Sequence, residues 1–297
     1  MSITNDFEYY CPSSLDETVK LLEQLGEQAA LLAGGTDLIV NIKDDLESPS
    51  AVIDIKRVSE LRGLDIDKDK LFIGAKTTFT DILDSSVIKD NYLLLWESAR
   101  AVASVGIRNR ATLVGNICSA VPCMDSAPAL LCYDAIVHTV SKTGKRDIPI
   151  NDWFIAPRKT ARKADELVVG VTVPLPSQKN SGCYIKLGRY GGEDLAQAGL
   201  GILIRADLEY RIAFTAVGPI PIRAQKIEEL LKGKEIDQDL LKQAKELVAE
   251  EISPITDIRS TREYREHICR VMFERGLIVC QQRMNGEIIN TVRILGG

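Results

Sequence analysis

Two stretches of this chain carry residue types whose spacing could do chemistry. The first runs from Ala30 to Lys43, where an apolar run enters Gly34-Gly35-Thr36-Asp37 and the chain then turns apolar again. A strand, a glycine turn and a helix start leave free backbone N–H groups pointing outward, and the helix dipole favours negative charge there. Glycine removes the side chain that would hold a phosphate at a distance, and the Thr36 hydroxyl adds a donor. The same residues also suit an ordinary tight turn with Asp37 capping a helix; this stretch alone leaves both readings open. The second stretch, IRNRATLVGNICSAVPCMDSAPALL at 107–131, brings Thr112, Gly115, Asn116, Ser119 and Asp125 into a region poor in apolar periodicity. Amides, hydroxyls and a carboxylate can meet phosphate, ribose and adenine edges. It reads as a long polar irregular loop, a feature uncommon without a function. The usual nucleotide signatures are missing: there is no G-x-x-x-x-G-K-[ST], and Gly199-Leu-Gly201 lacks the third glycine of G-x-G-x-x-G.

Other reactive residues form no such pattern. The seven cysteines, at 11, 118, 123, 132, 183, 269 and 280, include no C-x-x-C pair and suit reduced thiols. Cys118, Cys123 and Cys132 are three where an iron–sulfur cluster normally takes four, so they read as small core or loop residues and no metal site is assigned. His138 and His267 have no ligand spacing and read as structural. The basic run at 158–163, RKTARK, reads as a solvated face. Spacing supports no Ser/His/Asp or paired-carboxylate arrangement, so no catalytic residue is assigned.

The elements that must position these residues are legible in outline. Ser14-Leu-Asp-Glu17 has the form of a capping box opening a helix over 14–26, with Leu15, Val19 and Leu22 on one face. A buried strand at 29–33 leads into the glycine turn. Apolar runs at 51–55, 71–75, 135–140 and 166–173 predict further strands, and TDILDSSVI and LLLWESARAVA predict helices between them. Alternating signals of this kind predict α/β or α+β layering, that is, an α+β chain of α/β layers or an α/β one. Residues 174–182 read as a linker. Beyond it, CYIKLGRY, AGLGILI and YRIAFTAVG predict a three-stranded sheet, and helices capped by Asp237 and by a box at Ser260–Glu263 back it.

The bulk numbers narrow the function classes. The 297 residues allow one large domain or two ordinary ones, and a net charge of −5 argues against nucleic acid. No run approaches the ~18 apolar residues of a membrane span, and the start has no signal-peptide pattern, so a cytoplasmic protein is expected.

Taken together, LLAGGTDLI and the later ATLVGNI and MDSAPALL resemble the FAD-binding (medium) subunit of the molybdenum hydroxylases, the xanthine dehydrogenase and carbon monoxide dehydrogenase flavoprotein family. The resemblance covers nearly the whole chain. It includes the opening F-x-Y-x-x-P-x-S-L-x-E, GAKTTFTDI, DELVVGVTVPLP and YIKLGRYGGEDLA. It implies a two-domain FAD-binding fold of the vanillyl-alcohol-oxidase type plus a C-terminal domain with a three-stranded sheet and helices. Residues 1–176 would be the FAD-binding domain, with two subdomains dividing near 57–62. Residues 177–286 would be the flavoprotein C-terminal domain, and 287–297 a tail.

The resemblance also implies site residues. Leu31, Leu32, Ala33, Gly34, Gly35, Thr36, Asp37 and Leu38 would bind the FAD pyrophosphate, a side chain at Gly35 entering pyrophosphate space. Thr112, Gly115 and Asn116 match the family's T-x-G-G-N motif, with Val114 in place of its first glycine. Val102 would add an apolar contact, and Asp125 would face the adenosine. Leu167, Val168 and Lys186 would lie near the isoalloxazine, with Tyr190 and Asp194 lining the same region; without the resemblance Lys186 reads as an exposed strand lysine. The implied activity is electron transfer by an FAD-dependent oxidoreductase subunit acting within a complex, most like xanthine dehydrogenase. Electrons would come from a molybdenum–pterin centre on a large subunit and [2Fe–2S] clusters on a small one, in a dimer of heterotrimers, and would leave to NAD+ or another acceptor. A self-contained FAD oxidoreductase of the same fold, or an assembly protein that has lost FAD, would be the alternatives.

Overall fold

The computed structural model describes residues 3, 5–67, 69–175, 178–190 and 194–289. The chain opens with β1 (Glu8–Tyr10), α1 (Leu15–Leu25), β2 (Ala29–Leu32), α2 (Leu38–Lys43) and β3 (Ala51–Asp54). The three strands form a parallel sheet in the order β1-β3-β2. All four residues of β3 are buried, as a central parallel strand covered on both faces requires. Ser14 caps α1 by accepting from the Glu17 amide. The Glu17 carboxylate accepts from the Ser13 amide, one residue outside the predicted box.

A second layer follows. β4 (Leu64–Asp67) and β5 (Lys70–Gly74) lead to α3 (Phe79–Asp84), α4 (Ser86–Asn91), α5 (Leu93–Arg100), α6 (Val105–Arg108), α7 (Leu113–Ser119) and α8 (Ser126–Cys132). The chain returns through β6 (Ile136–Ser141), β7 (Gly144–Pro149), the hairpin β8 (Phe154–Ala156) and β9 (Lys159–Thr160), and β10 (Leu167–Pro174). β10 is the centre of a five-stranded sheet, β4-β5-β10-β6-β7. The stretch 107–131 is therefore not an irregular loop. It holds the last two residues of α6, all of α7, and α8 up to Leu131, helices too short to show a hydrophobic period.

The third unit is β11 (Asn180–Leu187), β12 (Ala198–Arg205), β13 (Tyr210–Thr215), β14 (Ile222–Arg223), α9 (Gln225–Leu231), α10 (Gln238–Glu251) and α11 (Arg262–Met284). The three predicted strands are antiparallel neighbours, and the two-residue β14 makes the sheet four-stranded. Residues 180–182, predicted as linker, open β11 and pair with Leu203–Arg205. Residues 176 and 177, where the predicted domain boundary falls, and most of the predicted tail lie outside the described residues. Asp237 caps α10 as expected, whereas Thr261, not Ser260, caps α11.

This sheet is packed on both faces. α11 covers β11 and β12 on one side, and α5 and α8 of the preceding unit cover the other. Charged groups are buried at that junction. Arg283 and Glu97, about 8–9% exposed, are 2.7 Å apart, and Glu97 also accepts from the Tyr184 amide at 3.0 Å. Arg223 donates to Asp134 at 2.7 Å and to the Leu131 carbonyl at 2.9 Å. Among the described residues no helix is long and apolar enough to cross a membrane.

Candidate functional site

All three units border one cleft of about 520 Å³, within the range of small-molecule and cofactor sites. One wall is the turn between β2 and α2. Gly35 there has φ +78°, a conformation that favours glycine. The amides of Gly35, Thr36, Asp37 and Leu38 donate to no protein acceptor among the described residues. The Asp37 side chain makes no cap hydrogen bond either, so the capping role open to it in the sequence is not used. Four successive N–H groups without a protein acceptor at the cleft edge are the kind of donor set that can receive an anion.

The facing wall is the start of α7, and Gly34 explains how the two walls come together. A Cβ on Gly34 would lie 2.1 Å from the Arg110 carbonyl oxygen and 3.0 Å from the Ala111 Cα. Only glycine lets the turn press against that backbone. Residues 111–113 are held from the other side, where the Phe79 amide donates to the Ala111 carbonyl and the Leu113 amide to Thr77. Thr112 caps α7 by accepting from the Gly115 amide at 2.9 Å, so that amide is already satisfied. The Val114 amide has no partner among the described residues. Valine in place of the family's glycine thus keeps a free donor here, and its side chain is buried. Asn116 accepts from Ser126 through Oδ1 at 2.7 Å, which leaves its side-chain N–H₂ for the cleft it borders.

The third wall carries charge. Tyr184 and Lys186, two apart on β11 and so on one face, both reach Asp125. The Tyr184 hydroxyl donates to Oδ1 at 2.7 Å and the Lys186 ammonium to Oδ2 at 2.8 Å. Lys186 also donates to the Ala101 carbonyl at 2.9 Å. Burial pushes the Asp125 carboxyl upward, and Lys186 and Tyr184 act against that shift. Burial raises the Tyr184 phenol well above its ordinary value, with Asp125 adding to it.

Of the sixteen residues expected from the sequence, the structure brings all but Leu32 to this cleft. Leu32 follows Leu31 on β2 and so faces the other way, into a small apolar cluster with Ile42 and Val52. Gly35 also needs a correction: a Cβ there would meet Leu32 Cδ1 at 2.9 Å and Ile39 Cγ1 at 3.3 Å, pointing into the protein and not toward a phosphate. Asp125 and Lys186, expected at opposite ends of the cofactor, stand in direct contact, which an extended dinucleotide cannot satisfy with one residue at each end. Asp194 borders the cleft, whereas Tyr190 is 72% exposed and does not.

The sequence reading missed Arg158 and Arg162. Both border the cleft, so the run at 158–163 is not simply a solvated face. Arg162 is anchored on the Glu166 carbonyl at 2.8 Å, and Arg158 sits at φ +60° in a turn held by its own amide on the Ala120 carbonyl. Cys118 and Cys123 also border it. Burial pushes the Cys118 thiol up to about 12 and raises Cys123, so both are protonated at neutral pH and are poor nucleophiles.

The chain matches known proteins over nearly its whole length. Residues 5–176 match the model for the FAD binding domain in molybdopterin dehydrogenase, and 183–279 match the CO dehydrogenase flavoprotein C-terminal domain. The chain is 31% identical over 286 residues to the xanthine dehydrogenase FAD-binding subunit of Escherichia coli O157:H7, spanning 94% of this chain and 98% of the relative. It is 32% identical over 275 residues to the carbon monoxide dehydrogenase medium chain of Hydrogenophaga pseudoflava, spanning 91% and 96%. Among solved structures, it superposes with a TM-score of 0.91 on the carbon monoxide dehydrogenase from Hydrogenophaga pseudoflava that lacks the Mo-pyranopterin moiety of its cofactor. That match is at 31% identity and covers 95% of this chain and 99% of the other.

The class that fold and cleft define is an FAD-dependent oxidoreductase subunit, an α+β flavoprotein that acts within a complex. Within that class, the chain belongs to the FAD-binding medium subunits of the molybdenum hydroxylases, the xanthine and carbon monoxide dehydrogenase family.

Proposed function

We propose that this chain carries FAD as the electron-transfer subunit of a multi-subunit molybdenum hydroxylase most like xanthine dehydrogenase. Its partners are a large molybdenum–pterin subunit and a small subunit with two [2Fe–2S] clusters, assembled as a dimer of heterotrimers. The electron acceptor is NAD+ or another oxidant. The observation that carries the reading is the opposition of two free-donor walls, the amides of Gly35–Leu38 and that of Val114, across one cleft.

The chain's own residues would each do a definite part. The Gly35–Leu38 amides, the Thr36 hydroxyl and the Val114 amide hold a pyrophosphate. Asn116 adds a side-chain donor. Leu31, Ala33, Val102, Leu167 and Val168 exclude water from the apolar parts of the ligand. FAD bound there would take electrons singly from clusters and release them in pairs. Residues 1–176, dividing near 57–62 between the three- and five-stranded sheets, form the FAD-binding domain, and 177–286 close over it, leaving 287–297 as a tail.

Tagged chain purified gently from its host should contain about one FAD, four irons and one molybdenum per chain, the iron corresponding to two [2Fe–2S] clusters. FAD with neither metal, and no second polypeptide in the purified material, would move the assignment to a self-contained flavoenzyme of the same fold.

A further inference from the structure

The contact between Asp125 and Lys186 raises the question of why a lysine and a carboxylate, about 12% and 8% exposed, are both kept at the cleft wall. Burying such a pair gains little stability by itself. Lys186 has three N–H donors, of which one goes to Asp125 and one to the Ala101 carbonyl. The third has no protein acceptor among the described residues, and Lys186 borders the cleft. Both Asp125 oxygens are taken up by groups from β11, the second by the Tyr184 hydroxyl, itself 4% exposed. Tyr184 does not border the cleft. Its role is to hold Asp125.

We infer that Tyr184 and Asp125 are positioning residues that aim Lys186 at the isoalloxazine, and so set the flavin's reduction potential. This rests on the FAD assignment above. Of the parts of FAD, the pyrophosphate already has the Gly35–Leu38 amides and adenosine is neutral; only the isoalloxazine gains charge in use, at N1 and the pyrimidine edge. A cation there favours the reduced form. Asp125 opposes that effect, and the Tyr184 hydrogen bond moderates Asp125 by drawing on its charge and fixing its orientation. The three residues therefore shift the potential with different signs.

The test is the two-electron midpoint potential of the FAD-loaded complex, with FAD content and melting temperature measured on the same samples. Lys186→Met should lower the potential by about a tenfold change in the reduction equilibrium, close to 30 mV for a two-electron couple. Tyr184→Phe, which keeps the ring, should lower it by a smaller amount with FAD content at wild-type level. Asp125→Asn should raise it. Tyr184→Phe or Asp125→Asn at the wild-type potential would overturn the positioning role. Fully loaded Lys186→Met at the wild-type potential would place the cluster at the adenosine end and overturn the inference while leaving the FAD assignment intact. Wild-type complex with no FAD would defeat both.

Discussion

Gly34→Ala is the sharpest perturbation of the cleft. The added methyl carbon would lie 2.1 Å from the Arg110 oxygen and 2.8 Å from its carbonyl carbon. These are backbone atoms that cannot swing aside as a side-chain end can. Restoring ordinary contact, which begins near 3.4 Å, moves the glycine turn and residues 110–112 apart by more than an ångström. The Gly35–Leu38 amides on one wall and the Val114 amide on the other then no longer grip one pyrophosphate together. A hydrogen bond to a charged group is worth about 1.5–3 kcal/mol. Losing one weakens FAD binding by about 10- to 100-fold, at 1.4 kcal/mol per decade. Flavin-fluorescence titration of the FAD-depleted protein reads this directly, with circular dichroism to confirm the fold. Gly35→Ala is the control. Its Cβ would meet only Leu32 and Ile39 side chains, but the φ of +78° costs an L-residue roughly 1–2 kcal/mol. It should lower stability more than affinity. A folded Gly34→Ala protein with wild-type FAD affinity would refute the claim that the close approach of the two walls builds the site.

Glu97→Ala should destabilise the protein by about 3–5 kcal/mol, because it leaves Arg283 buried beside no carboxylate; urea unfolding checks this, and a Glu97→Met, Arg283→Leu double variant should lose much less. Thr112→Val removes the cap on α7 and should cost about 0.5–2 kcal/mol by the same assay. Asp54 is a pH probe: burial pushes its carboxyl up, but hydrogen bonds from Lys56 and Tyr9 outweigh that and hold it below the ordinary 3.8. A depressed folded-state value gives stability that is present above 3.8 and lost as pH falls through the lower folded value. Asp54→Asn should therefore be less stable than wild type at pH 7, and the difference should shrink in acid titrations below about pH 3.8. An unchanged gap at low pH would show that the Asp54 charge is not what stabilises.

What the sequence showed and what it hid follow from the range of the interactions. β3 and β10 were legible because buried strands are continuous apolar runs, and α1 and α10 because Ser14 and Asp237 announce them. The helices within 107–131 were not, since four- and seven-residue helices rich in small residues carry no period. That Leu32 faces away from the cleft could have been read from strand alternation once Leu31 was placed toward it. The Asp125–Lys186 contact joins residues 61 apart, and no local pattern predicts it. Arg158 and Arg162 reach the cleft through a hairpin whose strands have three and two residues, too short to alternate visibly. The free amides of Gly35–Leu38 depend on backbone dihedrals; the sequence indicated only that glycine would permit them.

In the proposed function, the β2–α2 turn and the start of α7 hold the FAD pyrophosphate between them. A crystal structure of the FAD-loaded complex, with both phosphorus atoms located, tests it most directly. Phosphate oxygens should lie within hydrogen-bond distance of the Gly35–Leu38 amides and of the Val114 amide. Phosphates seated instead against Arg158 and Arg162, with those amides facing solvent, would contradict it.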